Sequence, residues 1–296
     1  MPTDVLIRPR RPVDVPEAEE LSAESFLAVD RETTSAHLPV PERRPASRAA
    51  AWIARTSHFL STDPGGCWVA ASGDAMVGFA VSFRRELGWF LASYAVRPSL
   101  RGSGIGKPLL DAALGYSVGC LRGMLAASDD PRAFRRYHAA GFTLHPQLLL
   151  HGVVDRSTLP VVSHVRAGTP SDFELMDSVD RRCRDAAHGV DHQVLAFTYR
   201  LLVLDRTTGS GYAYVDQSGS PALVAATNRR SAAALLWEAL GSSSPGAMVS
   251  VPHVTAANDW AVTVGMAARL SVATRGYLAL RGMKPPMPYL HHGSFL

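Results

Sequence analysis

Between Val96 and Leu109 the chain reads VRPSLRGSGIGKPL. Three glycines alternate along this stretch, Gly102, Gly104 and Gly106, with Ser103 and Ile105 between them and Arg101 and Lys107 at either side. Glycines let backbone N–H groups converge, and a helix starting just afterwards adds unpaired amides and a partial positive charge. Such a turn suits an anion, a phosphate above all. A Walker A loop would need GxxxxGK followed by Ser or Thr; here Gly102 lies one residue too close and Pro108 stands where the magnesium-binding hydroxyl belongs. A Rossmann turn would need GxGxxG opening a βαβ unit, whereas the spacing is Gly102-x-Gly104-x-Gly106 behind a series of strands. ATP, GTP and NAD are therefore poor fits.

The elements that must hold this turn can be read from the flanking patterns. GWFLASYAV, closed by Pro98, is a strand; after the turn Pro108 suits a first helical residue, and Leu109, Leu110, Ala113, Leu114 and Val118 recur at helical spacing. Upstream, Asp4 to Arg8 reads as a strand, PVDVPEAEELSAESFLAV as a helix and Arg31 to Pro45 as a loop. A helix follows over 46–59, and then CWVAAS and MVGFAVSFRREL form a hairpin about a GDA turn. Downstream come a strand GMLAAS, a helix PRAFRRYHAAGF ending at Gly141, and a strand TLHPQLLLHGVV. With 296 residues the length favours two ordinary domains, and 47% hydrophobic against 19% charged residues favours packed cores. The net charge of +4 suits an anionic ligand but lacks a dense basic stripe, so nucleic acid is not expected. Cys67, Cys120 and Cys183 form no CxxC pair, so neither a disulfide framework nor a metal is expected, and a reducing cytoplasm fits. No apolar run reaches the length of a membrane span.

Arg101-x-x-Gly104-x-Gly106, after a strand ending AVRP and before an apolar helix, resembles the pyrophosphate loop of the GNAT superfamily, the GCN5-related N-acetyltransferases. IRPRRPVDVPEAEEL resembles that family's first strand and helix, and DDPRAFRRYHAAGF its N-x-x-A-x-x-x-Y-x-x-x-G-F segment. The resemblance runs over most of Asp4 to Val154. It implies that backbone groups of Ala95 and Val96 pair with the pantetheine arm, that the amides from Gly102 to Lys107 receive the pyrophosphate, and that Asp130 and Ala133 line the cofactor. Asp130 departs from the family's Asn, and a carboxylate cannot donate an amide hydrogen bond. The resemblance also implies an acyl-CoA cosubstrate, acetyl-CoA by default, with direct transfer to an amine. The Val96 N–H would stabilise the oxyanion and Tyr137 would protonate the leaving thiolate. The other reading of Tyr137 is a half-buried helix residue packed on the sheet. For the base that accepts the ammonium proton, Glu86 leads, with His37 and His58 as further candidates.

The second half echoes the first. VVSHVRAGTPSDFELMDSVDRRCR parallels DVLIRPRRPVDVPEAEELSAESF, a strand ending in Arg, a Pro turn with Asp, and an amphipathic helix, which implies a tandem duplication. The expected fold class is thus α/β, two tandem GNAT-like domains, each a mixed, mostly antiparallel sheet flanked by helices, with 1–157 binding acyl-CoA and 158–296 degenerate and non-catalytic. The stretch matching the glycine turn, AATNRRSAAALL, has no glycine. The tail MKPPMPYLHHGSFL is expected to lack regular structure, with His291 and His292 on the surface and no metal held there. The function expected is transfer of acetyl to the primary amine of a small molecule, with neither nucleic acid nor membrane as partner. A CoA-binding pseudoenzyme, or an enzyme using another acyl-CoA for transfer or decarboxylation, is the alternative, and oligomeric state is left open.

Overall fold

The computed structural model describes Val5–Thr34, Ala36 and Leu38–Leu296. It divides into two compact units, one running to Arg84 and resuming over Gly88–Phe142, the other formed by Arg85–Leu87 and Thr143–Leu296.

In the first unit the order is β1 (Val5–Pro9), α1 (Val15–Thr33), α2 (Ala46–Thr62), β2 (Cys67–Ser72), β3 (Ala75–Arg85), β4 (Gly88–Val96), α3 (Gly106–Gly115), β5 (Arg122–Ala127) and α4 (Pro131–Ala139). The strands lie side by side in chain order. β2 and β3 are antiparallel about a two-residue Gly73-Asp74 loop, with Gly73 at φ 57°, as a tight hairpin requires. β4 and β5 are parallel, and α3 is the crossover that a parallel pair needs. Strand faces rich in aromatics meet the helices. Phe83 stacks between Phe59 of α2 and Phe90 of β4 at 4.5 and 5.1 Å, and Trp52 meets Phe79 edge-on at 5.7 Å. The apolar pattern read to Val118 overshoots the helix: α3 ends at Gly115 and Val118 is 78% exposed, because the chain turns through Gly119 at φ 85°.

The second unit runs β6 (Thr143–Val153), β7 (Val165–Ala167), α5 (Phe173–Arg184), α6 (Asp191–Thr198), β8 (Arg200–Leu204), β9 (Gly211–Val215), β10 (Pro221–Ala226), α7 (Arg229–Gly241), β11 (Met248–Thr255), α8 (Asp259–Ala267), β12 (Ser271–Arg281) and β13 (Tyr289–Leu290). β13-β10-β9-β8-β7 form one run of neighbours and β12-β6-β11 another. The division falls at Phe142/Thr143, whereas the sequence reading placed a boundary after 157. The cause is β6, whose antiparallel partners are β11 and β12. Leu235, Leu236, Ala239 and Leu240 of α7 pack with Val249, Val251 and Val254 of β11 and Trp260 and Val264 of α8. Each such buried leucine is worth about 2 kcal/mol.

The sequence echo has a side-chain counterpart. Arg8 donates through both guanidinium nitrogens to Asp14 (2.7 and 2.9 Å), and Arg166 does the same to Asp172 (2.9 and 2.5 Å). Both aspartates also accept a backbone amide, from Arg11 and from Thr169, at the entry to α1 and α5. The tail differs from its expected irregularity. Tyr289 and Leu290 pair with Ala225 and Val224 of β10, and His291, His292, Phe295 and Leu296 are buried.

Candidate functional site

β4 neighbours β3 on one side, and on the other its register with β5 runs only from Gly88↔Arg122 to Leu91↔Leu125. Both strands continue past that point, so the far half of β4 has an edge without strand pairing toward β5. Alternation decides which groups face it. The Arg97 amide donates to Val77 of β3 (2.9 Å), and the Ala95 carbonyl abuts Gly78 of β3. Residues 95 and 97 therefore turn their backbone groups to β3, and those of Tyr94 and Val96 turn to the open edge. Ala95, expected to share the pantetheine pairing, is on the wrong side of the strand for it. Ser25 of α1 donates to the Val96 carbonyl (3.3 Å), which leaves the Val96 N–H toward the edge.

The glycine turn follows directly. Gly102 and Gly104 take φ 85° and 92°, left-handed values open to glycine at little cost. Gly106 is needed for a different reason: a Cβ there would lie 2.4 Å from the Tyr94 hydroxyl, which donates to the Gly106 carbonyl at 2.8 Å. The Ser103 amide and hydroxyl both donate to the Leu100 carbonyl, closing the turn, and Ile105 is buried beneath it. The first intrahelical bond of α3 is Leu109 N–H to Ile105 C=O, so the amides of Gly106 and Lys107 head the helix as unsatisfied donors. The two flanking cations behave otherwise than their sequence positions suggest. Arg101 turns inward and donates to the Ser25 carbonyl (2.7 Å), fastening the turn to α1. Lys107 pairs with Asp111 (2.6 Å) on the exposed side of α3.

Opposite the open edge stands α4. Asp130 caps it, accepting from the Arg132 amide and side chain at 2.8 Å each. Burial would raise this carboxyl, yet the Arg132 hydrogen bonds prevail and hold it below the ordinary value. Its oxygens thus serve the helix. Ala133, partly exposed, and Tyr137, 5% exposed, are a turn apart on one face of α4. Tyr137 meets Tyr94 edge-on at 6.3 Å. Burial keeps both phenols protonated, pushing Tyr94 to about 12 and Tyr137 above its usual range. Beside Pro98, at the end of β4, a cavity of about 260 Å³ is walled by Ala23, Leu27 and Ala28 of α1, with Arg31 and Arg43 at its border.

Residues 26–142 match the family described as Acetyltransferase (GNAT) family. That stretch is similar to the GNAT family. The match ends at Phe142, the last residue of the first unit. Solved structures with the same fold extend over the whole chain. One from Pyrococcus horikoshii is 17% identical, covers 99% of this chain and 95% of its own, and superposes with a TM-score of 0.73. The GCN5-related N-acetyltransferase from Sphaerobacter thermophilus is 16% identical over 97% of this chain and 98% of its own (TM-score 0.60), and that from Kribbella flavida 13% identical over 93% and 70% (TM-score 0.60). No curated protein matches the sequence. The fold is accordingly a tandem GNAT arrangement, each unit a mixed, mostly antiparallel sheet flanked by helices.

Within this GNAT frame, Glu86 is placed away from the open edge. It sits in the β3–β4 turn at φ 52°, and β4, nine residues long, carries the chain about 30 Å from there to Val96. Its carboxylate is already engaged, accepting from Arg181 (2.7 Å) and from the Ala187 amide (3.1 Å). His58 lies near the end of α2, its ring beside Phe59 at 5.6 Å. His37 lies outside the described residues.

One cluster of reactive groups was missed. Asp177, Asp180, His188 and His192 converge in the second unit, with Tyr212 and Tyr214 beside them. The signal was present as D-x-x-D followed by H-x-x-x-H, each pair one helical turn apart, in a stretch where the helix α6 was not foreseen.

Proposed function

We propose that the first unit is an acyl-CoA-dependent N-acyltransferase that passes acetyl from acetyl-CoA to a primary amine of a small molecule. The observation that carries this reading is the continuity between the open edge of β4 and the glycine turn. An extended amide-bearing arm can pair with Tyr94 and Val96 as an added strand, and its diphosphate then meets the amides from Gly102 to Lys107. No side chain at Gly102, Gly104 or Gly106 obstructs that approach. The fit assigns Arg101 and Asp130 to shaping the turn and the helix cap, with contact to the cofactor through the backbone of the turn and through Ala133.

In this reading the amine nitrogen attacks the thioester carbonyl carbon and the oxygen gathers negative charge. The Val96 N–H stabilises that oxygen, a contact worth about 2.7 to 4 kcal/mol in comparable holes. The C–S bond then breaks, the departing thiolate takes the Tyr137 hydroxyl proton, and the proton shed by the attacking nitrogen passes through water to restore the phenol. A phenol held neutral by burial is in the right state to donate it. The second unit supports no such reading for itself. At the start of α7, Asn228 accepts from the Ser231 amide (2.9 Å), so the helix end is capped by its own side chain, and the edge of β10 is paired with β13.

Thiol release from acetyl-CoA against a panel of amines tests the proposal, with loss of turnover in Tyr137→Phe expected. A second reading, a cofactor-binding protein without turnover, is favoured by the commitment of Glu86 to Arg181 and Ala187. Binding of acetyl-CoA with no thiol release for any amine would select it.

A further inference from the structure

The missed cluster of the second unit is built unlike an ordinary buried ion pair. α5 supplies Asp177 and Asp180, three apart and so on one face. The helix stops at Asp185, left-handed at φ 64°, and the chain doubles back through His188 and Gly189 into α6, which carries His192. Asp180, His188 and His192 are wholly buried, and the Asp177 side chain is 21% exposed. One donor atom from each of Asp180, His188 and His192 lies within 4.8 Å of the others.

His192 touches the Tyr214 hydroxyl through Nδ1 (3.1 Å), and its Nε2 lies 3.2 Å from Asp177 Oδ1 and 3.4 Å from Asp180 Oδ2, without an aligned hydrogen bond to either. Asp180, His188 and His192 bring one oxygen and two nitrogens together out of water, a donor set that suits a divalent cation. The carboxylates are held as ligands usually are: Tyr212 donates to Asp180 Oδ1 (2.5 Å), and the Gly189 amide donates to Asp177 Oδ1 (2.9 Å). Asp191, also buried, is spent on Arg85 at 2.8 and 2.5 Å and is not a donor here.

We propose that Asp180, His188 and His192 bind a divalent transition metal, zinc by the mixed nitrogen and oxygen donor set, with the Asp177 carboxylate beside them. The ion's two positive charges balance the two carboxylates. His188 Nδ1, now 2.7 Å from Asp180 Oδ2, exchanges its shared hydrogen for the metal, and that proton leaves to solvent. Three buried protein donors make a structural site that clamps α5 to α6, with Asp177 on its partly exposed side. The cysteine spacing, on which the expectation of no metal rested, does not bear on a site without cysteine.

The test is metal content of the intact chain, produced without a histidine tag in zinc-supplemented medium and analysed by plasma mass spectrometry. About one zinc per chain is expected. Stripping with a chelator should lower the melting temperature, and cobalt(II) added to the stripped protein should give the visible absorption of a tetrahedral site. His192→Gln should abolish binding, and Asp177→Asn, which removes the partly exposed charge beside His192 and so tolerates folding, should weaken it roughly tenfold. Wild-type protein that holds no stoichiometric metal and gives no cobalt absorption overturns the proposal, leaving a proton-bridged Asp–His network. Metal that binds equally well in Asp177→Asn and His192→Gln overturns it as well.

Discussion

The three glycines of the turn perform two different tasks, and substitution should separate them. Gly102 and Gly104 are required by backbone angle, so a valine at either is strained by more than the about 1 to 2 kcal/mol that left-handed geometry costs an ordinary residue. Gly106 is required by space alone. Gly106→Ala should destabilise by about 1 to 3 kcal/mol, and Tyr94→Phe, which removes the obstructing hydroxyl, should recover much of that loss. A double-mutant cycle in urea checks this, and strict additivity would contradict the geometry. Tyr137→Phe deletes one oxygen from a buried ring. Acetyl-CoA affinity should hold while kcat falls by roughly 10² or more, read by thiol release. The glycines were legible in the sequence because their spacing is local. The inward turn of Arg101 was not, because its acceptor, the Ser25 carbonyl, lies far away in the chain.

Among the elements, the entries to α1 and α5 share one electrostatic device. The Arg8 hydrogen bond holds Asp14 well below the carboxylate range, and the Arg166 hydrogen bond holds Asp172 at about 2. A carboxyl depressed on folding contributes stability that is present above its unfolded value of about 3.9 and disappears as pH falls through the folded value. Stability should therefore decline between about pH 4 and 2, and Arg166→Gln should move the acid-unfolding midpoint upward. An unchanged midpoint would show that the pair does not contribute. β13 is the other element with a measurable role. Arg184 donates to the carbonyls of Phe295 (3.4 Å) and Leu296 (2.5 Å), and Tyr289 donates to Leu296 (2.7 Å). Removing Tyr289–Leu296 deletes the buried Leu290, Phe295 and Leu296, at about 2 kcal/mol each, and should lower the melting temperature sharply. A two-residue strand amid proline, histidine and glycine carries no periodic pattern, which is why the tail read as irregular. Its structure comes from β10 and Arg184, contacts that no local pattern records.

For the whole molecule, the duplication was legible at the level of strand, turn and helix, and the Arg–Asp turns confirm it in atoms. The division of the chain was less so, because β6 is continuous in sequence with the first half but pairs with β11 and β12. The catalytic assignment divides in the same way. The strand, glycine turn and helix around β4 follow from local patterns that can be read directly, whereas the engagement of Glu86 by Arg181 is a contact across distant sequence. The proposed function gives the molecule one cofactor site, at the glycine turn of the first unit. Isothermal titration of acetyl-CoA into the full-length chain and into its Gly104→Val variant tests that most directly. One binding site per chain in the wild type, lost in the variant, is the predicted result; no heat with any CoA species, or binding that survives the valine unchanged, would contradict it.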